Sequence, residues 1–427
     1  MRSLTIALAT LAVVATPVSA ADWTSSKVDI PHFGNLTTTF DGHVYGQGDF
    51  EGSADVYPIN ADGTRGEAVA GLSSDAGNRI AAFGPSGLAS VFLGCDRESA
   101  NDIGVTTVSA PNAKPAFQVL PGTTCKYPLA ATGNRRGDIA VMTNTDAIKR
   151  HGKTSYSRSV WLRRAGAKYF ARVLRIKVRY NATHGVVALG PKGDLLVAWT
   201  DGVPREDKPS TTYARYRDAH GTWRATERLG KGSVFPGDTD TLNAAVQPDG
   251  TRLVLWHRGF RTAVLAHASG RHRFAGQATA FGLNDPHLAV APESNAAIVV
   301  GSNPGSGAPR LQIANVRRGR LGTYQDVVLP AGAGTPTITG ASVANNGAAI
   351  VTTSVFLPPA MHEYQQAGIV TTRSTTGQPF TAAQVLTTDG GASNALATPD
   401  GSRFFLTYVS TPDGGGHYDT FIAVTSP

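Results

Sequence analysis

The chain has 427 residues, with 41% hydrophobic and only 16% charged side chains, 48 Gly, and a formal charge of +8 from 39 basic and 31 acidic residues. A soluble domain averages about 25% charged residues, so this balance argues against a disordered chain and against surface-rich helices, and suits turns and strands. No Lys/Arg block is longer than a pair or so, which gives no grounds to expect nucleic-acid binding.

Residues 1–20 read as an export signal. Arg2 supplies the positive start, Leu4 to Val14 the apolar run, and Pro17-Val18-Ser19-Ala20 the small residues at which cleavage is expected, after Ala20. The run is too short to span a bilayer, and no later stretch approaches about 20 unbroken apolar residues, so no transmembrane segment is expected. The product is expected to be secreted or held at the cell envelope. There, Cys95 and Cys125 are expected to form a disulfide, stabilising the fold by about 3–4 kcal/mol. Neither cysteine belongs to a CxxC pair or sits beside histidines at zinc spacing, so no metal and no cofactor are expected.

From residue 21 onward one unit recurs: a strand of slim residues, a turn, then a bulkier strand. The clearest copies are Ala244-Ala245-Val246, Pro248-Asp249-Gly250, Leu253-Val254-Leu255-Trp256; Val187-Ala188-Leu189, Pro191-Lys192-Gly193, Leu195 to Trp199; and Leu396-Ala397, Pro399-Asp400-Gly401, Phe404 to Tyr408. Weaker copies turn at Gly42, Gly87, Gly137, Ser294 and Gly347, and successive turns lie roughly 51 residues apart, the length of a four-stranded blade. A second, looser hairpin follows each, as in Val160-Trp161-Leu162 with Tyr169-Phe170-Ala171, Tyr213-Ala214-Arg215 with Trp223, and Leu311 to Ala314 turning near Gly322 into Tyr324. Slim first strands suit a crowded central axis, and the Trp- and Phe-bearing second strands suit the wider space between blades.

The expected fold is therefore all-β: a single β-propeller over residues 21–427, built from four-stranded antiparallel blades. Eight is the count of turns, with seven as the alternative. Lys27-Val28-Asp29-Ile30 is left over at the start and Phe421-Ile422-Ala423-Val424 at the end; pairing them would close the ring through the last blade. No window carries a sustained helical period.

Through its Pro-Asp-Gly turns and Val-x-Trp strands, the chain resembles the secreted bacterial β-propeller repeat proteins of the WD40-like and sialidase-like group. Sialidases carry an Asp box, Ser-x-Asp-x-Gly-x-Thr-Trp, on the second hairpin of a blade. The nearest match here is Asp218-Ala219-His220-Gly221-Thr222-Trp223, with its Gly one place late and no leading Ser. The resemblance implies a scaffold, and a scaffold does not specify a chemistry.

If the short turns share one face, the long connectors gather on the other, where a ligand is expected to bind. The connectors 94–102, 200–211, 257–262 and 354–366 supply the candidate ligand-binding residues Arg97, Arg205, Glu206, Asp207, His257, Arg258, His362 and Glu363. Asp238-Thr239-Asp240 lacks the Gly and distal Glu of a calcium loop, and His362-Glu363 lacks the second His of HExxH, so no metal site is assigned. No complete catalytic set stands out. The sequence therefore points to a monomeric, non-enzymatic binding or scaffold protein recognising a carbohydrate or a protein. A glycan-processing enzyme, with loop carboxylates as acid and base, is the alternative.

Overall fold

The computed structural model describes residues 22–426 apart from short connecting segments, the longest being 74–79, 96–102, 109–115, 121–127, 203–209, 233–241, 358–365 and 412–417. The export segment 1–20, the turn at Gly87 and Cys125 lie outside the described residues. Among the described residues every regular element is a β-strand, and no helix is long and apolar enough to cross a membrane.

The strands form seven four-stranded antiparallel sheets and one of five, numbered here in chain order. Sheet 1 comprises Gly34–Thr38, Val44–Phe50, Ser53–Ile59 and Ala70–Ser73; sheet 2 comprises Ile80–Phe83, Ala89–Cys95, Ile103–Val108 and Ala116–Leu120. Sheet 3 holds Pro128–Gly133, Ile139–Asn144, the long Lys153–Arg163 and Ala171–Val178, with the short Ile148–Arg150 folded against the start of the long strand. Sheet 4 is Gly185–Leu189, Leu195–Asp201, Thr211–Arg217 and Glu227–Lys231, and sheet 5 is Leu242–Val246, Arg252–Arg258, Thr262–Ala268 and Ala275–Ala278. Sheet 6 is Asn284–Val290, Ala297–Asn303, Arg310–Arg317 and Arg320–Val327; sheet 7 is Thr337–Val343, Ala349–Val355, Ala367–Arg373 and Gln384–Thr387. Sheet 8 runs Ala392–Ala397, Phe404–Ser410, Asp419–Thr425, and takes its outer strand, Thr24–Val28, from the other end of the chain.

That last pairing sets Lys27 opposite Phe421 and Thr24 opposite Val424. The N-terminal strand thus begins three residues before the expected Lys27, because the buried Val28 ends the pairing and the polar Thr24-Ser25-Ser26 supplies its solvent-facing start. The second hairpin of sheet 6 also differs from expectation. Its turn is Arg318-Gly319, both at positive φ, rather than Gly322, and a tight two-residue turn of this kind suits the twist of antiparallel strands.

Along the described strands successive apolar side chains point to opposite faces of their sheet and pack against the sheets on either side, as Leu195, Val197 and Trp199 do on one face and Leu196 and Ala198 on the other. Ala130, Met142 and Leu174 of sheet 3 pack with Val187, Leu195 and Trp199 of sheet 4. Ala198 of sheet 4 meets Val254 and Trp256 of sheet 5. The series continues from Leu255 to Val299, from Ile313 to Val351 and from Ile350 to Phe404. Phe405 and Ile422 of sheet 8 pack with Leu36 and Tyr57 of sheet 1 and with Phe33 just before it. The slim first strands earn their composition by close approach. At Gly340 of sheet 7, a Cβ would lie 2.6 Å from the backbone nitrogen of Ala395 in sheet 8. This is a propeller-like, all-β arrangement, as the sequence led us to expect.

In each meander the hairpin joining strands one and two, and in sheets 1 to 7 the connection between the last two strands of the meander, emerge at one end, here called the turn face. The remaining connectors emerge at the other, the loop face. On the turn face the first hairpins turn through glycines at positive φ, including Gly42, Gly137, Gly193, Gly250, Gly347 and Gly401.

Candidate functional site on the loop face

The expected site residues divide sharply. Arg97, Arg205, Glu206, Asp207, His362 and Glu363 lie outside the described residues; Cys95 ends the second strand of sheet 2. His257 and Arg258 are described. They close the second strand of sheet 5 at the loop face, opposite Ala263 and Thr262. Successive residues of a strand point to opposite sides of the sheet, so the half-buried His257 and the exposed Arg258 cannot act on one atom from the same side. Next to them Trp256 is almost fully buried and its indole N–H donates to the Lys231 carbonyl of sheet 4, 3.0 Å away, which fixes the strand end.

Also toward the loop face, between sheets 3 and 4, lies a polar junction that the sequence did not single out. Arg158, from the long strand of sheet 3, has no exposed surface, and its Nη1 donates to the carbonyls of His184 (3.1 Å) and Thr200 (3.0 Å). Burial pulls its pKa down to about 10, and the nearby negative charge of Asp201 partly opposes that fall, so the guanidinium stays charged at neutral pH. Asp201 in turn accepts from the backbone N–H groups of Arg179 (2.7 Å) and Gly202 (2.9 Å), tying down both connectors that leave this corner. Opposite Arg158 in the ladder stands Asn144, wholly buried, with neither amide atom hydrogen-bonded.

Two further half-buried histidines complete the sector. His184 lies at the entry to the first strand of sheet 4, and His287 within the first strand of sheet 6. Together with His257 they give one imidazole to each of three successive sheets. Among the described residues no cluster of three or more His, Cys, Asp or Glu side chains is placed to hold a metal ion. The Asp-box-like turn lies on the opposite face. There Asp218 accepts from the Thr222 N–H at 2.9 Å, Gly221 takes φ +96°, and Trp223 donates to the Val173 carbonyl of sheet 3. Its work is to close a hairpin and anchor it to a neighbour.

No family model and no curated relative matches this sequence. Solved structures do match. A prolyl endopeptidase is 14% identical over 88% of this chain and 52% of its own, with a TM-score of 0.51. Puromycin hydrolase is 16% identical, covers 93% and 63%, and has a TM-score of 0.46. Dipeptidyl peptidase 4 of Porphyromonas gingivalis is 10% identical, covers 91% and 59%, and has a TM-score of 0.49. The likeness is one of fold. This chain spans between about half and two thirds of the length of those proteins. The likeness to the prolyl endopeptidase runs against the expectation of a non-enzymatic carbohydrate- or protein-binding scaffold. It is a likeness of fold, and no family match indicates a WD40-like or sialidase-like group.

Proposed function

We propose that the eight sheets are the blades of one closed propeller over residues 21–427, and that it works in peptide hydrolysis with its loop face toward the peptide. Closure is supported by the first strands, each lying beside those of its neighbours from sheet 1 to sheet 8 and back to sheet 1. The peptide reading is carried by the likeness to the prolyl endopeptidase, whose structural work concerns inter-domain dynamics in catalysis and specificity.

Amide hydrolysis needs a base that takes a proton from water as its oxygen attacks the carbonyl carbon. It also needs a donor for the resulting oxyanion, and an acid that returns the proton to the amine as the C–N bond breaks. The base and acid roles are assigned to His257, at the loop-face end of the second strand of sheet 5.

The test is incubation of the purified chain from residue 21 with proline-containing and proline-free peptides, read by mass spectrometry. Cleavage is expected, falling at least about tenfold in His257→Gln with no change in the thermal unfolding midpoint. Peptides recovered intact from every incubation would remove peptide hydrolysis as the function.

A further inference from the structure

On the turn face, between sheets 6 and 7, a cleft of about 280 Å³ is lined by Asn295, Asn315, Arg317, Asn345, Arg373 and Thr376 together with small residues, and by no carboxylate. Its composition has a consequence that follows from hydrogen-bond bookkeeping. Asn345 Oδ1 accepts from the Glu293 backbone N–H at 2.8 Å, Asn295 Oδ1 from the Asp249 N–H at 3.3 Å, and Asn315 Oδ1 from Nη1 of Arg373 at 2.5 Å. Only an amide oxygen can accept from an N–H, so the orientation of all three side chains is dictated by their partners. Each therefore has its NH₂ group left over, and among the described residues none of the three Nδ2 atoms donates to the protein.

Arg373 adds charge to these donors. Only 3% exposed, it uses Nε to reach the Gly347 carbonyl (2.9 Å) and Nη1 to reach Asn315, and its guanidinium lies 5.0 Å from the centre of the Phe380 ring. Among the described residues Nη2 has no protein acceptor. Burial alone pulls this guanidinium down to about 10, with no carboxylate opposing the shift, so it remains a buried cation without a counter-ion. Glu293, the acid on the adjoining turn, is already paired with Arg135 at 2.7 Å. Exposed Arg317 stands at the rim.

A cleft walled by amide donors and guanidinium groups, with its acceptors already used and its buried charge uncompensated, is the electrostatic complement of an oxyanion. We infer that this cleft binds a small oxyanion, a phosphate or a carboxylate group, with Arg373 Nη2 and the Nδ2 groups of Asn295, Asn315 and Asn345 as donors. The site lies on the opposite face from the proposed peptide site and does not depend on it.

The experiment is calorimetric titration of the purified chain from residue 21 with sodium phosphate, sodium sulfate and sodium acetate, each against sodium chloride of equal ionic strength. Saturable binding of at least one oxyanion is expected. Preference for phosphate or sulfate assigns a tetrahedral phosphoryl-type ligand, and preference for acetate a carboxylate. Asn345→Asp keeps the acceptor for the Glu293 N–H, removes the donor and adds a negative charge, and should weaken binding at least tenfold. Arg317→Ser, at an exposed position, should weaken it severalfold while leaving thermal unfolding in chloride unchanged. Absence of saturable binding for all three anions would overturn the inference, as would binding that neither substitution alters.

Discussion

At Asp138 a single carboxylate holds three turns together. Its side chain is almost completely buried, and it accepts from the Ala165 N–H (3.0 Å), from Asn134 Nδ2 (3.0 Å) and from Arg164 (3.2 Å), while Asn134 and Arg164 also donate to the Gly190 and Gly193 carbonyls of sheet 4. Burial pushes this carboxyl up, yet the hydrogen bonds and the Arg164 and Arg136 charges outweigh it and hold the group below the ordinary carboxylate range. A carboxyl with a depressed folded pKa adds stability that is full above its unfolded value, near 4, and disappears as the pH falls through the lower folded value. Asp138→Asn should therefore cost about 2–3 kcal/mol in urea unfolding at pH 7, and the gap to the parent chain should narrow below about pH 4. A gap independent of pH across that range would show that the charge contributes nothing. None of this network was legible beyond its turn. The sequence marks Gly137 as a turn glycine, but Asp138 is partnered from a second hairpin, and Asn134 and Arg164 reach on to the next sheet, and spacing carries no record of that meeting.

Among the elements, the first strands and their turns were the most legible parts of the chain, because one physical demand acts on each residue. Gly250 must adopt φ +82° in open space, whereas Gly340 has no such φ and is required by the backbone of Ala395. Two substitutions separate these causes. Gly250→Asn should cost less than about 1 kcal/mol, since Asn tolerates the left-handed region, whereas Gly340→Ala should cost about 1–3 kcal/mol by forcing two sheets apart. Equal costs in chemical denaturation would contradict the close-approach argument. The loop-face junction was harder to read. Arg158 sits in mid-strand with no turn or motif beside it, so only its register opposite Asn144 and its reach to sheet 4 give it away. The acid-free stretch from 147 to 193, which carries twelve Lys and Arg residues, was equally easy to miss when basic residues were sought as blocks. It places Arg175 and Lys177 in exposed positions on the outer strand of sheet 3.

For the molecule as a whole, stability depends on joining its two ends. Thr24–Val28 covers the edge of Asp419–Thr425, Lys27 pairs with Asp419 at 2.9 Å, and the Thr425 hydroxyl donates to the Asp22 carbonyl. A chain starting at residue 30 should lose this cover, melt at a lower temperature, and self-associate through the freed strand edge. Light scattering and calorimetry would measure both effects, and an unshifted midpoint with a monomeric profile would speak against the end-to-end pairing as a stabilising element.

One contact on the turn face reaches further than its 2.7 Å suggests. Arg135 belongs to a hairpin of sheet 3 and Glu293 to a hairpin of sheet 6, so their ion pair bridges positions three sheets apart. In the eight-bladed ring proposed above, such a bond acts as a crossbar that ties two distant hairpins to each other. Because the bar is half in water, raising the ionic strength loosens it, so brine should let those two hairpins move apart.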